Sequence, residues 1–158
     1  MVTRLAPDAR SLFPTAEGEA RSRRSPVVEA EHLLLALTAE SDSDAARLLA
    51  SVGLTHADVV TALDREFESS LAAAGVDVTV SGVTPSSPDA PHHLRLGASF
   101  KAAMTRSVTA AAGSRRIRPE HLLLGILGAE VGTVPRALRL AGVDQAELAA
   151  MTEQAIGP

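Results

Sequence analysis

Apolar residues recur along this chain at helical intervals. After Pro7 and Asp8, the residues Ala9, Leu12, Phe13, Ala16 and Ala20 fall three and four apart, which predicts one buried helix face. Pro14 lies within its first two turns, so the helix is expected either to kink there or to start later. A second helix is predicted over residues 29–40, and a short third over 44–52, stopped by Gly53 at a C-cap position. Thr55 with Asp58 three residues on reads as a capping box, opening a fourth helix that carries Val59, Val60, Leu63 and Phe67. The same order follows over 96–112, 118–128, 133–141 and 144–156. Pro119 and Pro135 there sit in first turns, and Gly142 ends the third helix as Gly53 does.

Between the two sets, residues 73–93 carry Gly75, Gly82, Pro85, Pro88 and Pro91, the composition of a linker. Val76, Val78 and Val80 alternate with polar residues. A short extended segment fits them, but no second strand offers itself and a sheet is not expected.

The two sets are copies. Glu31-His32-Leu33-Leu34-Leu35-Ala36-Leu37 returns as Glu120-His121-Leu122-Leu123-Leu124-Gly125-Ile126, at an offset of 89. The offset also carries Arg47 to Arg136, Leu49 to Leu138, Gly53 to Gly142 and Ala57 to Ala146. Upstream it slips to 88, with Leu12, Ala16 and Ala20 meeting Phe100, Met104 and Val108, so the stretches before the two Glu-His pairs are expected to differ by one residue. A unit with one exposed apolar face can bury it against its twin. The organisation expected is therefore repeat 1 over 1–72, the linker over 73–93 and repeat 2 over 94–158, together one compact domain. The fold class is all-α, with about eight helices.

Composition sharpens this. Of the chain's 158 residues, 46% are apolar, yet Trp and Tyr are absent and Phe13, Phe67 and Phe100 are the only aromatics. A core of Ala and Leu suits closely packed helices. A net charge of −4 argues against nucleic-acid binding, which needs a basic face. Without cysteine there are no disulfides and no thiolate zinc sites. No apolar run is long enough for a signal peptide or a membrane span, so a cytoplasmic protein with no membrane partner is expected.

The Glu-His pairs are the candidate chemistry. The H-E-x-x-H order of metalloproteases is absent, and no metal or cofactor is expected. Adjacent helical residues point about 100° apart, so Glu31/His32 and Glu120/His121 do not converge on one substrate atom. His32 and His121 read as structural, packed beneath their repeats and bonded to backbone. Leu33, Leu34, Leu122 and Leu123 read as core, and Gly53 and Gly142 as helix stops. Glu31 and Glu120 sit in first turns, where a carboxylate favours the helix dipole and could also meet a ligand. Arginines cluster before each pair: Arg21, Arg23 and Arg24, then Arg115, Arg116 and Arg118. Scattered solvated charge accounts for them. Alternatively, Arg24, Arg116 and Arg118 form a basic rim around the acidic positions.

The doubled Glu-His-Leu-Leu-Leu, each copy followed by a short helix ending in Leu-x-x-x-Gly-hydrophobic, resembles the Clp repeat. Paired Clp repeats form the N-terminal domain of ClpA, ClpB and ClpC unfoldases, and the likeness covers roughly residues 4–70 and 94–157. The resemblance implies a pseudo-twofold bundle of two four-helix repeats that docks adaptors and substrates. No phosphate-binding loop G-x-x-x-x-G-K-[ST] occurs in the chain, so a stand-alone domain without ATPase modules is expected. The implied function is a non-enzymatic protein- or peptide-binding module of the Clp system, acting as adaptor, decoy or sequestering protein, with a ClpC-type unfoldase among its partners. The alternatives are a sensor or regulator that binds a small molecule on the same fold and, more remotely, a hydrolase.

Some ClpC-type domains recognise phosphoarginine, and the matching acidic residues here are Glu31 and Glu120. The places the family fills with threonine hold Ala30, Pro119 and Ala6, so hydroxyls that could bond a phosphate are missing. That weighs against phosphoarginine as the ligand.

Overall fold

The structure, a computed structural model, describes residues 4–40, 42–75 and 93–158. Its first half holds β1 (Arg4–Leu5), α1 (Pro7–Ser22), β2 (Val27–Val28), α2 (Ala30–Ala39), α3 (Asp44–Ser51) and α4 (His56–Ala73). The second half repeats the order as β3 (Arg95–Leu96), α5 (Ala98–Ala110), β4 (Arg116–Ile117), α6 (Pro119–Leu127), α7 (Thr133–Leu140) and α8 (Gln145–Ile156). The all-α fold class and the two four-helix units are as expected. The Val76–Val80 alternation, and nearly all of the 73–93 linker, lie outside the described residues.

Local chemistry sets the helix boundaries. The Thr55 side chain accepts from the Asp58 N–H, while Asp58 Oδ2 accepts the Thr55 N–H at 2.9 Å, closing the capping box. Gly53 and Gly142 follow α3 and α7 with φ of +77° and +73°, a conformation that costs glycine little. Pro14 does not delay α1, which starts at Pro7 and continues through it to Ser22. The helical bond it forgoes belongs to the carbonyl of Arg10, an exposed residue where water can serve instead.

Among the described residues, four two-residue strands are a feature that sequence periodicity did not predict. They pair in parallel and across the repeats: Arg4 with Arg116 and Leu5 with Ile117, then Val27 with Arg95 and Val28 with Leu96. Each repeat thus lends its first strand to the other. The pairing also corrects the upstream register. Arg4 takes the place of Arg95, and Ala9, Leu12, Ala16 and Ala20 take the places of Phe100, Ala103, Ser107 and Ala111, all buried. The offset is therefore 91 (95 minus 4), not 88. Repeat 2 is two residues shorter before its Glu-His pair: α5 has three residues fewer than α1 (13 against 16), and the stretch from helix to following strand is one residue longer (111–115 against 23–26).

The core centres on α2 and α6. Leu33, Leu34, Leu35 and Leu37 are buried, as are Leu122, Leu123, Ile126 and Leu127. Helix α1 packs on α2 and α5 on α6, while α4 lies on α7 and α3 on α8, as a pseudo-twofold requires. Phe13 and Phe100 meet edge to face across the repeats, with ring centres 5.6 Å apart.

One polar clamp joins α4 to α7. The Glu66 carboxylate, 6% exposed, accepts from Arg136 Nε at 2.8 Å and from Ser70 Oγ at 2.6 Å. Arg136→Leu strands that carboxylate with only a hydroxyl. The expected loss is about 2 kcal/mol, because Arg136 is itself half exposed and water can partly replace it. Urea denaturation checks this, and Glu66→Leu in the same chain should recover much of the loss.

Candidate functional site

Each Glu-His pair opens a central helix. In α2 the N-cap is Glu29, followed by Ala30, Glu31 and His32; in α6 it is Arg118, followed by Pro119, Glu120 and His121. The buried imidazoles turn back on their own helix ends. His32 Nδ1 accepts the Glu29 N–H at 2.8 Å, and His121 Nδ1 accepts the Arg118 N–H at 2.9 Å. An accepting Nδ1 carries no proton, so both rings are held neutral. Burial, and then the charge of Arg23, lowers the His32 pKa to about 4 against the pull of Glu29 and Glu19. Burial and then Arg118 lower that of His121. Each ring thus spends its basic nitrogen on an orphan backbone donor of the first helical turn.

The two carboxylates next to them stand in unlike surroundings. Glu31 opens into a cleft of about 370 Å³ bounded by Arg23, Arg24, Leu63, Phe67 and Thr133. A second cleft of about 460 Å³ shares Glu31 and Thr133 and continues past Ser99, Val131 and Pro135. Among the described residues no side chain hydrogen-bonds or ion-pairs with the Glu31 carboxylate. Burial, followed by the nearby carboxylates of Glu29 and Glu66, raises its pKa, while its own backbone N–H and Arg23 pull the other way. Beside it Phe67 is 58% exposed and Val131 85% exposed, large apolar groups left in water.

Glu120 is closed in. Its side chain is 6% exposed, with Arg118 Nε 3.7 Å from the carboxylate. Arg118 Nη2 also donates to the Ile156 carbonyl at 3.2 Å, tying the end of α8 over the position. Where repeat 1 has Arg23, Glu66 and Phe67, the offset of 89 places Ala112, Ala155 and Ile156 in repeat 2. The repeat is exact in its Glu-His pair and not in what surrounds it.

Glu29 fills a third position. Its Oε2 accepts the Ser99 N–H at 3.0 Å and the Ser99 hydroxyl, and that hydroxyl accepts the Ala30 N–H at 2.9 Å. The positive end of α5 is thereby occupied by an anion from the other repeat. Gly97 makes this possible, since a Cβ there would overlap the Glu29 carboxylate.

Of the arginines read as a basic rim, Arg24 lines the open cleft in a left-handed conformation (φ 57°), Arg118 covers Glu120, and Arg116 lines neither cleft. Arg23, Phe67 and Thr133 were not foreseen as cleft residues. Phe67 reads in sequence as the end of an apolar face, and Thr133 arrives from the other repeat. Among the described residues no group of three or more His, Asp or Glu side chains is placed to hold a metal ion, and no helix is long and apolar enough to cross a membrane.

Two helical repeats with exchanged strands, centred on paired Glu-His helix starts, define a double-repeat all-α domain. The chain belongs to the Clp repeat (R) N-terminal domain family, whose model matches residues 4–115. Among solved structures it is similar to the N-terminal domain of the caseinolytic protease associated chaperone ClpD from Arabidopsis thaliana. The TM-score is 0.69 at 24% identity, over 100% of this chain and 98% of that one. The Hsp104 N-terminal domain from Candida albicans gives 0.68 at 15% identity, covering 98% and 92%. A protein from a study of a malarial protein secretion system gives 0.64 at 17%, covering 96% and 94%. A search of curated proteins finds no match.

Proposed function

We propose that this chain is a non-catalytic binding module of the Clp system that takes a peptide segment in the cleft at Glu31 and leaves the Glu120 position closed. It would serve as adaptor, decoy or sequestering protein by holding such segments toward or away from a Clp unfoldase. The observation that carries this is the half-buried Glu31 carboxylate, without a side-chain partner among the described residues, between exposed Phe67 and Val131. Desolvation has already raised the free energy of its charged form, so a cationic side chain entering the cleft gains more there than at the surface. The flanking apolar groups suit the rest of a short segment.

An unmodified arginine or lysine fits better than phosphoarginine. The helix end that would welcome a phosphate beside the cleft, the N-terminus of α5, already holds the Glu29 carboxylate. A phosphate brought there meets like charge.

Titration calorimetry with a short peptide of arginine flanked by leucines tests this, alongside the same peptide with phosphoarginine. Glu31→Ala should weaken binding of the unmodified peptide about tenfold or more, the worth of a charge-assisted hydrogen bond. Glu120→Ala should leave it unchanged where the fold survives. Equal loss in both variants, or tighter binding of the phosphorylated peptide, would count against the proposal.

A further inference from the structure

We infer that the edge formed by β1 and β4 is a docking surface for an acidic protein segment, separate from the Glu31 cleft. Arg4 and Arg116 are direct partners in a parallel ladder, so their side chains leave the same face of the small sheet from strands about 4.8 Å apart. Ile117 is buried and Leu5 half buried, which turns the alternate residues Arg4 and Arg116 outward, and both are exposed. Arg115, next in the chain, is exposed too.

Like charges placed directly opposite each other in a ladder are destabilising. Among the described residues neither Arg4 nor Arg116 has an ion-pair partner to offset that. The nearest carboxylates in sequence are engaged elsewhere: Asp8 Oδ1 accepts the Ala9 N–H at 2.9 Å, and Glu120 lies against Arg118. The pseudo-twofold supplies an internal comparison. At the equivalent edge Arg95 lies opposite Val27, so the fold does not require two arginines at this place. Their juxtaposition in a chain of net charge −4 concentrates positive charge on one edge. Two adjacent guanidinium forks match two carboxylates of one acidic segment, each through charge-assisted bonds.

The test uses fluorescein-labelled hexaglutamate and the full chain, with anisotropy read at low ionic strength. Saturable binding is expected, lost at about 1 M salt, where screening acts over about 3 Å. Arg4→Glu/Arg116→Glu should abolish it, and Arg4→Gln/Arg116→Gln should weaken it about tenfold or more. A control with the same change in charge, Arg65→Glu/Arg95→Glu, should retain binding, because those exposed arginines lie off the edge. Glu31→Ala should have no effect, which separates this surface from the peptide cleft. Absence of binding by the unaltered chain, or equal loss in the control, overturns the inference.

Discussion

Replacing Gly125 with alanine should destabilise the chain by about 3 kcal/mol, although alanine is the better helix former by about 1 kcal/mol. A Cβ at Gly125 would lie 2.3 Å from the Ala103 carbonyl oxygen, 2.1 Å from Ser107 Oγ and 2.9 Å from the Ser107 nitrogen. Two of these atoms are backbone of α5, so relief requires α5 to move off α6. Ser107 Oγ is also pinned, donating to the Ala103 carbonyl at 2.7 Å. The repeat provides the comparison. Its counterpart one offset earlier is Ala36, buried in α2 with its Cβ accommodated. Ala36→Gly should therefore cost only about 1 kcal/mol in helix propensity, plus the small void. Urea midpoints of the two variants check the contrast. A stabilised Gly125→Ala chain would mean that α5 and α6 are spaced like α1 and α2.

Acid should weaken the fold well before most carboxylates are neutralised. His32 has a pKa of about 4 in the folded chain against 6.5 in the unfolded one. Between those values the unfolded state binds more protons, so stability rises with pH and is lost as pH falls from about 6.5 toward 4. The loss from His32 alone is about 3 kcal/mol when complete. His121, also lowered, acts in the same direction. The physical event is protonation of an Nδ1 that accepts a backbone N–H, turning an acceptor into a second donor facing a donor. His32→Asn offers an uncharged oxygen for the same N–H. Its stability should change less between pH 7 and pH 5 than that of the unaltered chain, measured by urea denaturation at both. Parallel pH profiles would show that His32 is not the group responsible.

The sequence was legible wherever a signal was local. Helix periodicity, the Thr55–Asp58 capping box, Gly53, Gly142 and the leucine cores all depend on neighbours within a turn or two. What it did not show depends on contacts between repeats. Two-residue strands have too few residues for a period-2 pattern, and their partners lie about 70 or 110 residues away. The upstream offset is 91 rather than 88 because Phe100 takes the place of Ala9 rather than Leu12, a large residue standing for a small one at an equivalent buried position. For His32 and His121 the sequence points to a backbone partner but not to which one. Histidine at the third helical position is not the Glu or Gln of the usual capping box, and only geometry shows its Nδ1 turned to the N-cap.

The site was half legible. Glu31 and Glu120 are equivalent in sequence, and nothing within the Glu-His motif distinguishes them. The difference is made by Arg23 against Ala112, Phe67 against Ile156, and Glu29 against Arg118. These substitutions at repeat-equivalent positions matter only once α4, α8 and the α6–α7 connection are brought beside the helix starts. Arg118, a candidate for the basic rim around Glu120, lies over that carboxylate and reaches the Ile156 carbonyl.

The proposal that one repeat binds and the other is closed is tested most directly by nitrogen-15 NMR titration with the arginine–leucine peptide. The account predicts one peptide per chain, with shifts concentrated at Glu31, Phe67 and Thr133 and little change around Glu120. Two peptides per chain, or shifts centred on Glu120 and Arg118, would contradict it.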